Sequence, residues 1–79
     1  MRELLECLAR GLVDHPEEVS VEEFQEDDGV VLLELAVGED DYGKVIGRSG
    51  RTVHALRTVL SAAGRAAEQR ERVLIDIVE

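Results

Sequence analysis

Two glycines three positions apart, Gly47 and Gly50, place the tightest constraint on how this chain can fold. They bracket Arg48-Ser49, follow the aliphatic pair Val45-Ile46, and lead into an amphipathic stretch that runs to Leu60 and beyond. Glycine accepts positive φ and lets another backbone come close. The pattern therefore predicts two helices joined by a sharp connection, the first a short turn that Asp41 can cap. The opening amides of the second helix have no partners within it and suit an anion. Lys44, Arg48, Arg51 and Arg57 lie in or beside the same segment. These residue types in this order predict a helix-loop-helix clamp for a phosphodiester backbone, with the rest of the chain as its scaffold.

A net charge of −9 argues against such a role until its distribution is followed. Residues 1–41 hold two basic and fourteen acidic side chains, a balance of −12. Residues 42–67 hold five basic side chains and no Asp or Glu, a balance of +5. Residues 68–79 return to −2, with two basic and four acidic groups. Distant charges are screened within roughly 8–10 Å at physiological salt, so the local excess governs a ligand held at residues 42–67. The acidic remainder opposes indiscriminate binding to duplex DNA. At 79 residues the chain is expected to form one domain, 1–79, near the lower limit for folding without staples. The lone cysteine, Cys7, excludes an internal disulfide and fits a reducing compartment. No apolar run approaches a membrane span, and the acidic amphipathic N-terminus is unlike a signal peptide. A cytoplasmic protein without a membrane partner is expected.

Along the chain, Leu5, Leu8, Ala9, Leu12 and Val13 step i, i+3, i+4, i+7, i+8, which predicts an amphipathic helix. Pro16 holds His15 extended, so that helix should stop near Val13 or Asp14. Val19 to Glu26 reads as a first strand; Val19 and Val21 alternate with polar residues and Phe24 breaks the parity. A bulge near Glu22-Glu23 would return Phe24 to the core face. Asp27-Asp28-Gly29 predicts a hairpin turn. Val30 to Val37 is a nearly continuous apolar strand, expected to be central, with Val31, Leu33, Leu35 and Val37 on one face. In the long helix Val53, Leu56, Val59, Leu60 and Ala63 are expected to form the buried stripe, with Gly64 as the C′ residue, so that the helix ends there or frays over the next few residues. Arg65 to Arg72 reads as a polar connection, and Val73 to Val78 as a final strand. The order α-β-β-α-α-β, with two helices between the second and third strands, predicts a two-layer α+β domain: a three-stranded sheet with its helices on one face.

The residues do not assemble a catalyst. Two histidines, one cysteine and many carboxylates show no spacing that makes a triad or a metal site. Gly43-Lys44 lacks both the following Ser or Thr and the glycine five positions earlier, so a phosphate-binding Walker loop fails. No catalytic residue, metal or cofactor is expected. Tyr42 and Phe24 are the only aromatics, which excludes extended stacking platforms. Arg57 and Arg65 read as solvated, and His54 fits either a groove or open solvent. The rival reading is an interaction module, in which a groove lined by Val45, Ile46 and Val53 seats a partner and contact with a phosphodiester backbone is secondary.

Val45-Ile46-Gly47-Arg48-Ser49-Gly50, followed by Arg51-Thr52-Val53, resembles the GxxG loop of KH domains. The element order resembles the type II, prokaryotic form of that fold. Leu12-Val13-Asp14-His15-Pro16-Glu17, Asp41 to Gly47 and the closing strand extend the likeness to small stand-alone bacterial KH proteins over essentially the whole chain. The resemblance implies binding of single-stranded RNA, with about four nucleotides across the loop, and a role as a post-transcriptional regulator or RNA chaperone. It implies backbone contact at Gly47, Arg48, Ser49 and Gly50, phosphates flanked by Lys44 and Arg51, and a groove supported by Ile46 and Val53. It also implies protein partners: a homodimer, or a heterodimer with a larger Jag-type KH protein. The acidic N-terminal half departs from a generic KH protein and bears on affinity.

Overall fold

A computed structural model describes residues 1–67 and 70–79. Helix α1, Arg2–Leu12, ends where Val13 turns to extended geometry, three residues before Pro16 opens a short 3-10 turn. Strand β1, Ser20–Asp27, and strand β2, Val30–Ala36, form an antiparallel hairpin around a turn at Asp28-Gly29. Helix α2, Tyr42–Ile46, and helix α3, Arg51–Ala66, carry the chain across to strand β3, Arg72–Val78. The sheet order is β1-β2-β3, with β3 parallel to β2. Parallel neighbours require such a crossover, so the expected α-β-β-α-α-β order and central second strand are both met.

The register decides which side chains meet the helices. Val31, Leu33 and Leu35 of β2 are fully buried and face Leu5 and Ala9 of α1 and Leu56 and Leu60 of α3 in one core. Burying each such leucine stabilises the fold by about 1.5–3 kcal/mol. Three expectations are corrected here. Pairing runs unbroken from Ser20 to Gln25, and the irregularity falls between Gln25 and Asp27 instead of at Glu22-Glu23. Phe24 is therefore on the open face of the sheet, 42% exposed, aligned across the strands with Leu32 and Leu74. Val59, expected in the buried stripe, is 47% exposed, because α3 buries Val53, Leu56, Leu60 and Gly64 instead.

The role of Gly64 is the third correction. The helix ends at Ala66, within a few residues of the expected place, but Gly64 lies inside it and is not its C′ residue. A Cβ there would overlap the Glu71 carbonyl oxygen and come within 2.9 Å of Val73 Cγ2. The glycine serves close approach of the segment leading into β3, whose Glu71 N–H donates to the Gly64 carbonyl at 2.9 Å. Of the polar connection expected from Arg65 to Arg72, residues 65 and 66 are helical, and 68–69 lie outside the described residues. No helix among the described residues is long and apolar enough to cross a membrane.

Candidate nucleic-acid interface

The Gly47–Gly50 loop is built from backbone conformations that few residues adopt. Gly47 has φ 77 and ψ 171, a region open essentially to glycine alone. A Cβ at Gly47 would also collide with the side chain and amide of Thr52. Ser49 (φ 55, ψ 28) and Gly50 (φ 74, ψ 15) are left-handed. The Gly47 N–H donates to Gly43 O at 2.8 Å and the Gly50 N–H to Gly47 O at 3.1 Å, so the tip is closed by its own backbone. Arg48, Ser49 and Arg51 are exposed. Among the described residues, neither Arg48 nor Arg51 forms an ion pair. The loop therefore presents two free guanidinium groups and a hydroxyl in front of the first turn of a sixteen-residue helix, whose opening amides carry partial positive charge.

Other expected site residues have different surroundings. Val53 is buried (6%) and Val45 fully so, which removes both from any open groove lining, while Ile46 is half-buried. Lys44 is exposed, but its Nζ lies 3.0 Å from Asp14 Oδ2 and 3.7 Å from Asp41 Oδ1. The hydrogen bond to Asp14 is the main influence that raises the Lys44 pKa above its ordinary value. Its positive charge is thus already engaged, unlike that of Arg48 and Arg51.

Asp41 does not cap α2 with its side chain. Its carboxylate has no solvent exposure and accepts the backbone N–H groups of Asp14 (3.1 Å) and His15 (2.9 Å). Burial alone would raise its pKa, but those two amides, with the charges of His15 and Lys44, hold it below the ordinary value. The carboxylate fastens the start of the glycine-loop segment to the α1–β1 connection. Long-range pairing of this kind leaves no periodic trace in a sequence.

Helix α3 has three distinct sides. One enters the core. A second carries Arg51, His54, Thr58, Ser61 and Arg65 at i, i+3, i+7, i+10, i+14, with Arg57 at its margin. Arg57 Nη2 donates to Ile75 O at 3.4 Å, leaning this side toward β3. His54, Arg57, Thr58, Ser61 and Arg65 line a shallow cavity, and Ser61 and Arg65 also line the next one with Arg70, Glu71 and Arg72. The continuity of this basic side was missed by reading each arginine singly; its three-to-four-residue spacing is the signal that could have found it. The third side faces α1, where Leu8, Leu12, Thr52, Ala55, Leu56 and Val59 line an apolar groove. Leu12 is 40% exposed there.

His15, Glu17 and Glu18 bring ligand-type atoms within 4.8 Å of one another on the surface. They lie at the 3-10 turn after α1, with His15 at its N-cap, and His15 Nδ1 is 3.6 Å from Glu17 Oε2.

Comparison with known proteins agrees with this architecture. The family described as KhpA/KhpB, KH domain, matches residues 2–77. A protein of Halalkalibacterium halodurans named RNA-binding protein KhpA is 51% identical over 80 residues, covering all of both chains. Its namesake in Clostridium acetobutylicum is 45% identical over 99% of this chain and the whole of that one. The one in Thermotoga maritima is 53% identical over 78% of this chain and 81% of its own. The three-helix, three-strand α+β fold and its glycine loop are those of a KH domain, and the chain belongs to the KhpA/KhpB KH family.

Proposed function

We propose that this protein binds single-stranded RNA by holding about four nucleotides across the Gly47–Gly50 loop. The observation that carries this is the loop tip: Arg48 and Arg51 exposed and, among the described residues, unpaired, around a backbone that Gly47 alone permits. Phosphate oxygens approach the loop backbone and the start of α3, and the two guanidinium groups add charge-assisted hydrogen bonds. Gly47, Arg48, Ser49, Gly50 and Arg51 make the direct contacts. Ile46 and Val53 hold the loop from below. Lys44 contributes less than its charge suggests, because Asp14 and Asp41 already engage it. The names of the relatives, RNA-binding protein KhpA, support RNA as the ligand. The role is that of a post-transcriptional regulator or RNA chaperone in the cytoplasm.

Titration of a tetranucleotide RNA at several salt concentrations tests this reading. Engaging two to four phosphates gives a slope of log K against log salt of about −1.5 to −3. A slope near −8, or preference for duplex DNA, contradicts a four-nucleotide clamp.

One observation favours a second activity alongside the first. The apolar groove between α1 and α3, bordered by the exposed Leu12 and Val59, supports self-association or pairing with a larger Jag-type KH protein. It lies on a different side of α3 from the basic residues, so RNA and a protein partner need not compete.

A further inference from the structure

The helices cover one face of the sheet and, among the described residues, no element covers the other. A solvated sheet face is ordinarily polar, yet this one carries a row of large apolar side chains. The register sets Phe24 of β1 opposite Leu32 of β2, and Leu32 beside Leu74 of β3. Phe24, the chain's one phenylalanine, is exposed, as is Leu74, and Leu32 between them is half-buried. Two residues away on each strand, the same register aligns three carboxylates, Glu22, Glu34 and Asp76. Like charges directly opposite one another across strands are destabilising. Among the described residues, none of the three is in an ion pair. Arg72 lies on the far side of the apolar row, beside Val30. An apolar row with an uncompensated acidic flank therefore crosses all three strands.

We propose that this open face docks a cationic amphipathic helix of another protein, seated on Phe24, Leu32 and Leu74 and oriented by Glu22, Glu34 and Asp76. Charge selects the occupant. The carboxylates repel RNA and anionic lipid headgroups. A second copy of this chain would bring two acidic rows into one interface, with Arg72 as the basic residue of the face to offset them. Length selects the form of the partner. Adjacent strands lie about 4.8 Å apart, so the apolar row spans about 10 Å. Helix positions i and i+7 are about 10.5 Å apart, whereas strand positions i, i+2 and i+4 cover about 13 Å. A helix laid across the strands thus sets apolar residues at i, i+3 and i+7 over the row. Lysine or arginine along its flank reaches the carboxylates, about 7 Å further along the strands. The apolar contacts supply affinity and the charge pairs fix orientation. Such a partner leaves the glycine loop and the α1–α3 groove open, so the inference stands apart from the RNA reading.

The test titrates a leucine–lysine amphipathic peptide of about two heptads into the intact protein, followed by amide chemical shifts. The shifts should centre on Phe24, Leu32 and Leu74. Three variants separate the face from bulk charge. Glu22→Gln/Glu34→Gln/Asp76→Asn should weaken binding at least about tenfold, while melting at or above wild type because the opposed charges are gone. Glu3→Gln/Glu17→Gln/Asp40→Asn removes the same charge from exposed sites off the sheet and should weaken binding by less than about threefold. Phe24→Ser/Leu74→Ser keeps the net charge of −9 and should also weaken binding at least about tenfold. Equal losses in the two charge-neutralised variants would mean attraction to an acidic protein at large and overturn the docking face. Shifts centred on Leu12 and Val59 would move the peptide to the α1–α3 groove and overturn it too, as would no binding to wild type. Sedimentation adds the last arm: wild type that self-associates, and becomes monomeric in Phe24→Ser/Leu74→Ser, makes a second copy the occupant and overturns the cationic partner.

Discussion

Three glycines of this chain sit in or beside helices for different physical reasons, and matched substitutions separate them. At Gly11, near the end of α1, a Cβ would meet nothing within 4 Å. Gly11→Ala should therefore stabilise the protein by about 0.5–1 kcal/mol through helix propensity. At Gly64 the same propensity gain opposes a collision with the Glu71 carbonyl. Overpacking against backbone that cannot yield costs about 1–3 kcal/mol, so the collision prevails and Gly64→Ala should lower the thermal midpoint by several degrees. Equal stabilisation of both variants in a melting experiment would refute the close-approach explanation. Reading Gly64 as a helix terminator was reasonable from sequence, since a glycine near a helix end serves either purpose. Only the passage of Glu71 and Val73 beside it decides the matter. Gly47 was legible because Ile46 before it and Arg51-Thr52-Val53 after it narrow the choices to one kind of loop.

The elements divide along the same line between periodic and through-space information. Helix α1 and strands β2 and β3 were readable because their apolar spacing is regular. Phe24 was not, because the inward positions further along β1, Glu23 and Gln25, are polar and exposed while Phe24 takes the open face. Val59 was misread because apolar residues on two sides of α3 merge into one broad arc when only one buried stripe is assumed. Asp41 shows the limit most clearly, since its partners are the amides of Asp14 and His15, more than twenty residues away. That contact carries a pH signature. A carboxyl whose folded pKa is lowered contributes stability above the ordinary aspartate value of about 3.9, and loses it as pH falls through the folded value. Lys44, raised in the folded state, contributes below its own ordinary value of about 10.4 and loses it only as pH rises through the folded one. Both contributions are intact between about pH 5 and 9. Wild type should melt above Asp41→Asn throughout that range, and the gap should close as pH falls below about 4. A gap that persists unchanged at pH 2.5 would mean that the carboxylate charge is not what fastens the loop segment.

At the scale of the whole molecule, the proposed function rests on segregated charge and on α3 having three unlike sides. The acidic half and the acid-free segment 42–67 were visible in the sequence; the separation of a basic side from an apolar one on the same helix required knowing which residues the core had taken. If the apolar groove mediates association, Val59→Glu should shift sedimentation toward the monomer at concentrations where wild type self-associates. Its tetranucleotide affinity should stay within about twofold, or about 0.4 kcal/mol. Wild type sedimenting as a monomer throughout would remove the self-association reading and leave RNA binding untouched. The clamp itself is tested most directly by Arg48→Asp/Ser49→Asp. Both residues are exposed, aspartate tolerates the left-handed backbone at position 49, and carboxylates are acceptable near a helix N-terminus. Circular dichroism and the thermal midpoint should therefore stay near wild type, as exposed substitutions usually change stability by within about 0.5 kcal/mol. Tetranucleotide RNA affinity should fall at least about tenfold, or about 1.4 kcal/mol. A folded double variant that binds the tetranucleotide as tightly as wild type would contradict the assignment of the Gly47–Gly50 loop as the RNA clamp.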